Sequence, residues 1–142
     1  MRSAAQEARL WRLLVRVRAV RLRRKLRTLV DARRRERHAA AAVAEQAAAL
    51  DRHTAQRQRV LAFCRRDQRV GGQWHATLRA HDGRTPALHR QLSDAQRTHA
   101  LAHDEARQAL RDWHVERVRH DDAKHRWRAA VARVACGARD GG

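Results

Sequence analysis

Isoleucine, asparagine and tyrosine are absent from this 142-residue chain; proline occurs once, cysteine twice and glycine six times, and aromatic residues make up 4%. Each scarcity excludes something. Two thiols, Cys64 and Cys136, are too few for a disulfide scaffold or a zinc module. No stretch approaches the roughly 18 apolar residues of a membrane span. The run Leu10–Val20 is interrupted by Arg12, Arg16 and Arg18, so it is not a signal-peptide core. It resembles an organelle transit peptide in being basic and poor in acids, but the same pattern continues well past the usual length of one. There is no glycine-rich phosphate loop. Serine occurs only at Ser3 and Ser93, and neither lies in a nucleophile elbow. The missing residue types have AT-rich codons, which points to a GC-rich, bacterial genome. Part of the excess of 31 arginines over 2 lysines is then codon pressure.

What is present is alanine and positive charge. The chain carries a formal net charge of +18 and is 43% hydrophobic, but 29 of those 61 residues are alanine, and Leu, Val and Phe together number 25. So few large aliphatics beside so much charge suit a disordered chain. Equally, Ala, Glu, Lys, Leu and Arg supply 80 of the 142 residues, which suits a long helix or coiled coil. Glycine and proline placement favours the helix. Residues 1–70 and 87–136 contain neither type, whereas Gly71, Gly72, Gly83 and Pro86 cluster between them. A glycine inside a helix costs about 1 kcal/mol and a proline about 3, so this distribution predicts two helices and a break. Ser3 and Gln6 form a capping box. Gly71 is placed to end the first helix in the left-handed conformation, and Gly137 the second. Thr85-Pro86 reads as an N-cap followed by proline at the first helical position. The reading is an all-α, single-domain antiparallel coiled-coil hairpin: helix 1 over about 4–70, a short helical or loop tip at 71–85, helix 2 over about 86–136, and a tail at 137–142.

Heptad spacing supports the pairing. Alternate steps of four and three through helix 1 meet Val15, Ala19, Leu22, Leu26, Leu29, Arg33, Glu36, Ala40, Val43, Ala47, Leu50, Thr54, Arg57, Leu61 and Cys64. In helix 2 they meet Leu88, Leu92, Ala95, His99, Ala102, Ala106, Ala109, Trp113, Glu116, His120, Ala123, Trp127, Ala130 and Val134. A mean spacing of 3.5 residues is a coiled-coil seam. A second apolar phase, Leu10, Leu13, Val17 and Val20, overlaps the first near the N-terminus and leaves the register there open. A turn near residue 78 makes paired numbers sum to about 156. Trp113 then faces Val43 in an alanine run, and Trp127 faces Leu29.

Catalytic and metal chemistry find little purchase. His99 and His103 share a helix face with Asp104 beside them, and His120, Asp121 and His125 are a weaker set. Two ligands on one helix need two more from elsewhere. Cys64, at a seam position, reads as a structural thiol rather than a nucleophile. No cofactor is implied and no enzyme activity is expected. The basic run is the stronger signal: residues 2–37 hold fourteen Arg or Lys against Glu7, Asp31 and Glu36. Such density binds nucleic acid, acidic protein or anionic lipid by counterion release and surface potential. Against dedicated nucleic-acid readout, the arginines wrap around the helix, Trp11 is the only nearby aromatic, and no zinc-finger, RNP or basic-zipper signature appears. Non-specific nucleic-acid binding and self-association both stay open.

The uninterrupted first helix over residues 1–70, Gly71-Gly72-Gln73-Trp74 leading out of the turn, and the second-helix stretch Ala109–Arg117 resemble the FliJ/YscO (SctO) family. These are the central-stalk proteins of type III secretion and flagellar export, and this chain looks most like the plant-pathogen or Burkholderia-type versions. The resemblance lies in architecture more than in motif, and the absence of Tyr and Ile departs from the flagellar pattern. It implies a non-enzymatic, cytoplasmic protein peripheral to the inner-membrane apparatus. The paired termini would enter a hexameric export ATPase and the other end would point to the export gate. On that basis Trp11, Arg16, Arg23, Arg24, Arg27 and Trp127 are the expected ATPase-side contacts and Trp74 the contact at the tip. Rival readings are a basic nucleic-acid-binding helical protein and a secretion chaperone.

Overall fold

Ser3 starts the first helix as its spacing predicts. Its backbone N–H donates to Gln6 Oε1 at 3.0 Å, the Gln6 N–H donates to Ser3 Oγ at 3.2 Å, and the Glu7 N–H donates to the Ser3 carbonyl at 3.0 Å. This reciprocal cap satisfies amides that a helix start leaves unpaired. The computed structural model describes residues 2–66 and 71–141, as two helices: α1 over Ala4–Arg66 and α2 over Gly71–Asp140. The fold is an all-α hairpin of two long helices packed against each other.

The boundaries of α2 differ from the sequence reading. Gly71 does not end α1; it begins α2, and residues 67–70, assigned above to the end of helix 1, lie outside the described residues. The expected tip at 71–85 is helix, Thr85-Pro86 is not a helix start, and Pro86 is inside α2. Gly137 does not stop the helix either: the Gly141 N–H donates to its carbonyl at 3.2 Å, and most of the expected tail is the last turn of α2. No described glycine has positive φ.

The physical reason is visible in the heptads. The same steps of four and three continue backwards from Leu88 through Thr85, His81, Leu78 and Trp74, all buried or half-buried, while Gly83 and Pro86 are exposed. Unwinding α2 at 83–86 would expose that seam. Keeping it helical leaves the Asp82 carbonyl without the N–H that Pro86 lacks, but Asp82 is exposed as well, where water can replace the missing donor.

The helix pair divides into two compact units, residues 1–33 with 105–142 and residues 34–104. In the first unit the pairing is antiparallel. The paired numbers add to 140 for Glu7 and Arg133, 137 for Trp11 and Arg126, and 134 for Arg18 and Glu116. In the second unit they add to 139 for Arg57 and Asp82, 137 for Phe63 and Trp74, and 139 for Glu36 and His103. Both registers are about 19 lower than the expected 156, because α2 already begins at Gly71, ahead of the turn expected near residue 78. Trp113 therefore does not face Val43. It packs on a cluster of Leu29, Ala32, Ala106 and Ala109, with Leu110 beside it. Leu29 thus meets Trp113, not Trp127. The pairing of an indole with small residues survives the change of partner.

Seam assignment within α2 holds throughout: all fourteen heptad positions from Leu88 to Val134 are buried or half-buried. In α1 it holds except at Leu26, Arg33, Ala40 and Thr54, which are exposed, with Ala32 and Ala39 buried instead. The core is thin. Most of its buried positions are alanines, and no large described side chain is fully buried. Such a core allows close helix approach but contributes little transfer free energy per residue.

Candidate functional site

Most of the basic run read from the sequence, up to Arg33, belongs to the first unit. Between residues 9 and 27 there are nine Arg or Lys and no acid, and eight of the nine are exposed. Arg16, Arg23, Arg24 and Arg27 are among them, and none forms an ion pair with another described residue. Arg18 behaves differently. It is half-buried and donates to Glu116 Oε1 at 3.3 Å, while Arg119 approaches Glu116 Oε2 at 3.7 Å. Glu116 is buried, so these two cations neutralise a buried seam carboxylate.

Trp11 and Trp127 both lie half-buried in this unit. The Arg126 guanidinium sits 5.2 Å from the Trp11 ring centroid and pairs with Asp122 at 3.2 Å. Trp11, Leu14, Arg18, Arg119, Asp122, Ala123 and Arg126 line an open groove of about 250 Å³. Trp11 therefore helps to close the helix pair and offers only part of its ring to a partner. Near the chain ends Arg133 donates to Glu7 at 3.3 Å.

Trp74 falls in the second unit. Its ring is 4.6 Å from that of Phe63, tilted by 46°. It is half-buried, and its indole Nε1 has no hydrogen-bond partner among the described residues. The structure thus uses Trp74 first as a packing residue between α1 and α2.

The same unit contains a polar cluster that sequence reasoning missed. The His53 and His81 rings stack at 3.6 Å, 5° from parallel. His81 Nε2 is 2.7 Å from the His53 carbonyl oxygen. A carbonyl only accepts, so His81 carries its proton on Nε2 and donates. His53 Nε2 is 3.0 Å from Thr85 Oγ1. One helical turn along α1, Arg57 grips Asp82 through Nε–Oδ1 at 2.6 Å and Nη2–Oδ2 at 3.4 Å. The Arg57 hydrogen bonds hold the Asp82 carboxyl below the usual carboxylate range. Burial, and then the neighbouring His81 charge, push His53 below the usual imidazole value. A groove of about 390 Å³ lies over these groups, with Pro86 and His89 on its wall. The available signal was the heptad phase: extending the α2 seam across Gly83 and Pro86 makes His81 and Thr85 inward positions.

The histidines weighed for metal binding make other contacts among the described residues. His103 Nδ1 bonds Glu36 Oε1 at 2.6 Å, its ring centroid is 6.4 Å from that of His99, and His120 approaches Asp121 at 3.8 Å. Among the described residues no three potential ligands converge. Cys64 is half-buried and Cys136 exposed, and both are free thiols. No described helix is long and apolar enough to cross a membrane. Compared with known proteins, the chain matches no family model, no curated protein and no solved structure.

Proposed function

We propose that this protein is a non-enzymatic coiled-coil stalk or scaffold component of a bacterial type III secretion apparatus. In this reading it is cytoplasmic and peripheral to the inner membrane, engages the hexameric export ATPase and links it to the export gate. One observation carries the reading: within the first unit the start of α1 and the end of α2 run together as a capped, antiparallel pair, and that pair exposes Arg16, Arg23, Arg24 and Arg27, none of them ion-paired to another described residue. A rigid cationic helix pair is suited to entering a ring whose pore presents acidic or polar loops. Attraction of this kind mainly speeds encounter and weakens with salt. The family resemblance supplies the identity of the ring; the exposed arginines supply the reason for contact.

The test is replacement of Arg16, Arg23, Arg24 and Arg27 with Glu together. The variant should keep its helix content and lose both binding to the export ATPase and stimulation of it. Replacing Trp74 should spare ATPase binding and impair contact with the export gate. An ATPase that responds to neither wild type nor variant refutes the proposal.

A second reading rests on the same acid-free stretch, residues 9–27. A basic helical nucleic-acid-binding protein predicts that the arginine variant loses DNA or RNA affinity with a reduced salt slope, while the wild type leaves an export ATPase unaffected. Both assays on one preparation separate the two.

A further inference from the structure

The second apolar phase near the N-terminus is left uncovered by the fold. Leu10 is 38% exposed, Leu13 58%, Val17 46% and Val20 39%. These residues recur at steps of three and four, and the heptad period sets them on the face of α1 opposite Val15, Ala19 and Leu22, which turn inward. Scattered exposed aliphatics are ordinary on a protein surface, and Val115 and Val118 on α2 are an example. A stripe that repeats with a 3.5-residue period is a second seam without a helix on it.

We propose that this seam receives an acidic amphipathic helix from another chain, forming a three-helix contact with the first unit. Charge selects the occupant. In the register of the stripe four of the five flanking positions hold Arg9, Arg16, Arg21 and Arg23, the fifth being Leu14, and the next two seam positions are Arg24 and Arg27. All six arginines are exposed. A second copy of this chain would set arginine against arginine in either orientation, whereas Glu or Asp at the facing positions pairs with every one. The stripe is two residues wide per heptad and carries Leu and Val only. That width fits the knobs of one helix, while a membrane-lying helix presents a broader apolar face with aromatic residues. The inference needs only the geometry of the first unit and does not rest on the secretion reading.

The experiment uses the full chain and a synthetic peptide of about three heptads with Leu at both seam positions and Glu at both flanking positions, which repels its own copies. Fluorescence anisotropy should show it binding the wild type, more weakly as salt rises. The double variant L13S/V17S should lower the affinity at least about tenfold, while V115S/V118S leaves it unchanged. Circular dichroism of L13S/V17S verifies that the fold is kept. Three results overturn the proposal. Equal binding of a peptide with the same composition and no heptad period reduces the contact to bare charge. A wild-type dimer in sedimentation that L13S/V17S dissociates gives the stripe to a second copy. Binding to phosphatidylserine vesicles that L13S/V17S abolishes, with no binding of the peptide, gives it to a membrane.

Discussion

Replacing Gly83 with Ala distinguishes a helical α2 from a chain that turns at Asp82-Gly83, because the two give effects of opposite sign. In the structure Gly83 lies inside α2, has no positive φ, and a Cβ added to it meets nothing within 4 Å. Alanine then exacts no steric penalty in the folded state, reduces the freedom of the unfolded chain and gains helix propensity. The expected stabilisation is about 0.5–1 kcal/mol. Pro86→Ala adds a second increment. It restores the N–H missing from the helix ladder opposite the Asp82 carbonyl, and interior proline costs about 3 kcal/mol relative to alanine. Because that carbonyl is on an exposed residue, where water can replace the missing donor, the recovered part is about 1–3 kcal/mol. Urea unfolding followed by far-ultraviolet circular dichroism reads both, as a higher midpoint at unchanged slope. In a turn with a left-handed glycine, G83A would instead cost about 1 kcal/mol or more, and P86A would remove a favourable first-turn proline. Destabilisation by both variants would refute a continuous α2.

Leu26 and Leu29 share the same predicted seam but not the same burial: 45% and 4% exposed. L29A should cost about 2–3 kcal/mol, from lost transfer free energy plus a cavity beside alanines that cannot collapse to fill it, and L26A about 1 kcal/mol or less; equal losses in chemical denaturation would contradict the packing around Trp113. E116A leaves Arg18 half-buried without its carboxylate and should destabilise by about 1–3 kcal/mol, measured the same way, with E116Q recovering part of the loss through a neutral hydrogen bond. His53 has a depressed pKa in the fold, so acidification protonates it in the unfolded chain first. Stability should be full above the ordinary imidazole range and fall as the pH drops through and below it; thermal melts between pH 8 and 5 should show this fall, and His53→Gln should flatten it.

The class of fold was legible because its determinants are local and periodic. Ser3 and Gln6 cap α1 through residues three apart, and a 3.5-residue apolar period over several heptads commits both segments to helices that bury one stripe. All fourteen α2 seam positions follow from that period alone. The cationic character of residues 9–27 was likewise plain, since an acid-free run needs no partner to be basic. The register was a different matter. Helix propensity offers Gly71, Gly72, Gly83 and Pro86 all as break points and favours Pro86 most, but it is a weak term beside the burial of Trp74, Leu78, His81 and Thr85. Only the packed pair decides that α2 starts at Gly71, and that choice moves the cross-helix register by about 19. The His53–His81 stack, the Arg57–Asp82 clasp and the Arg18–Glu116 pair all depend on it. So does the fate of the two apolar phases at the N-terminus. Periodicity offers both faces of α1 to a partner, and the helix pair has only one partner to give, so Val15, Ala19 and Leu22 are covered and Leu10, Leu13, Val17 and Val20 face outward.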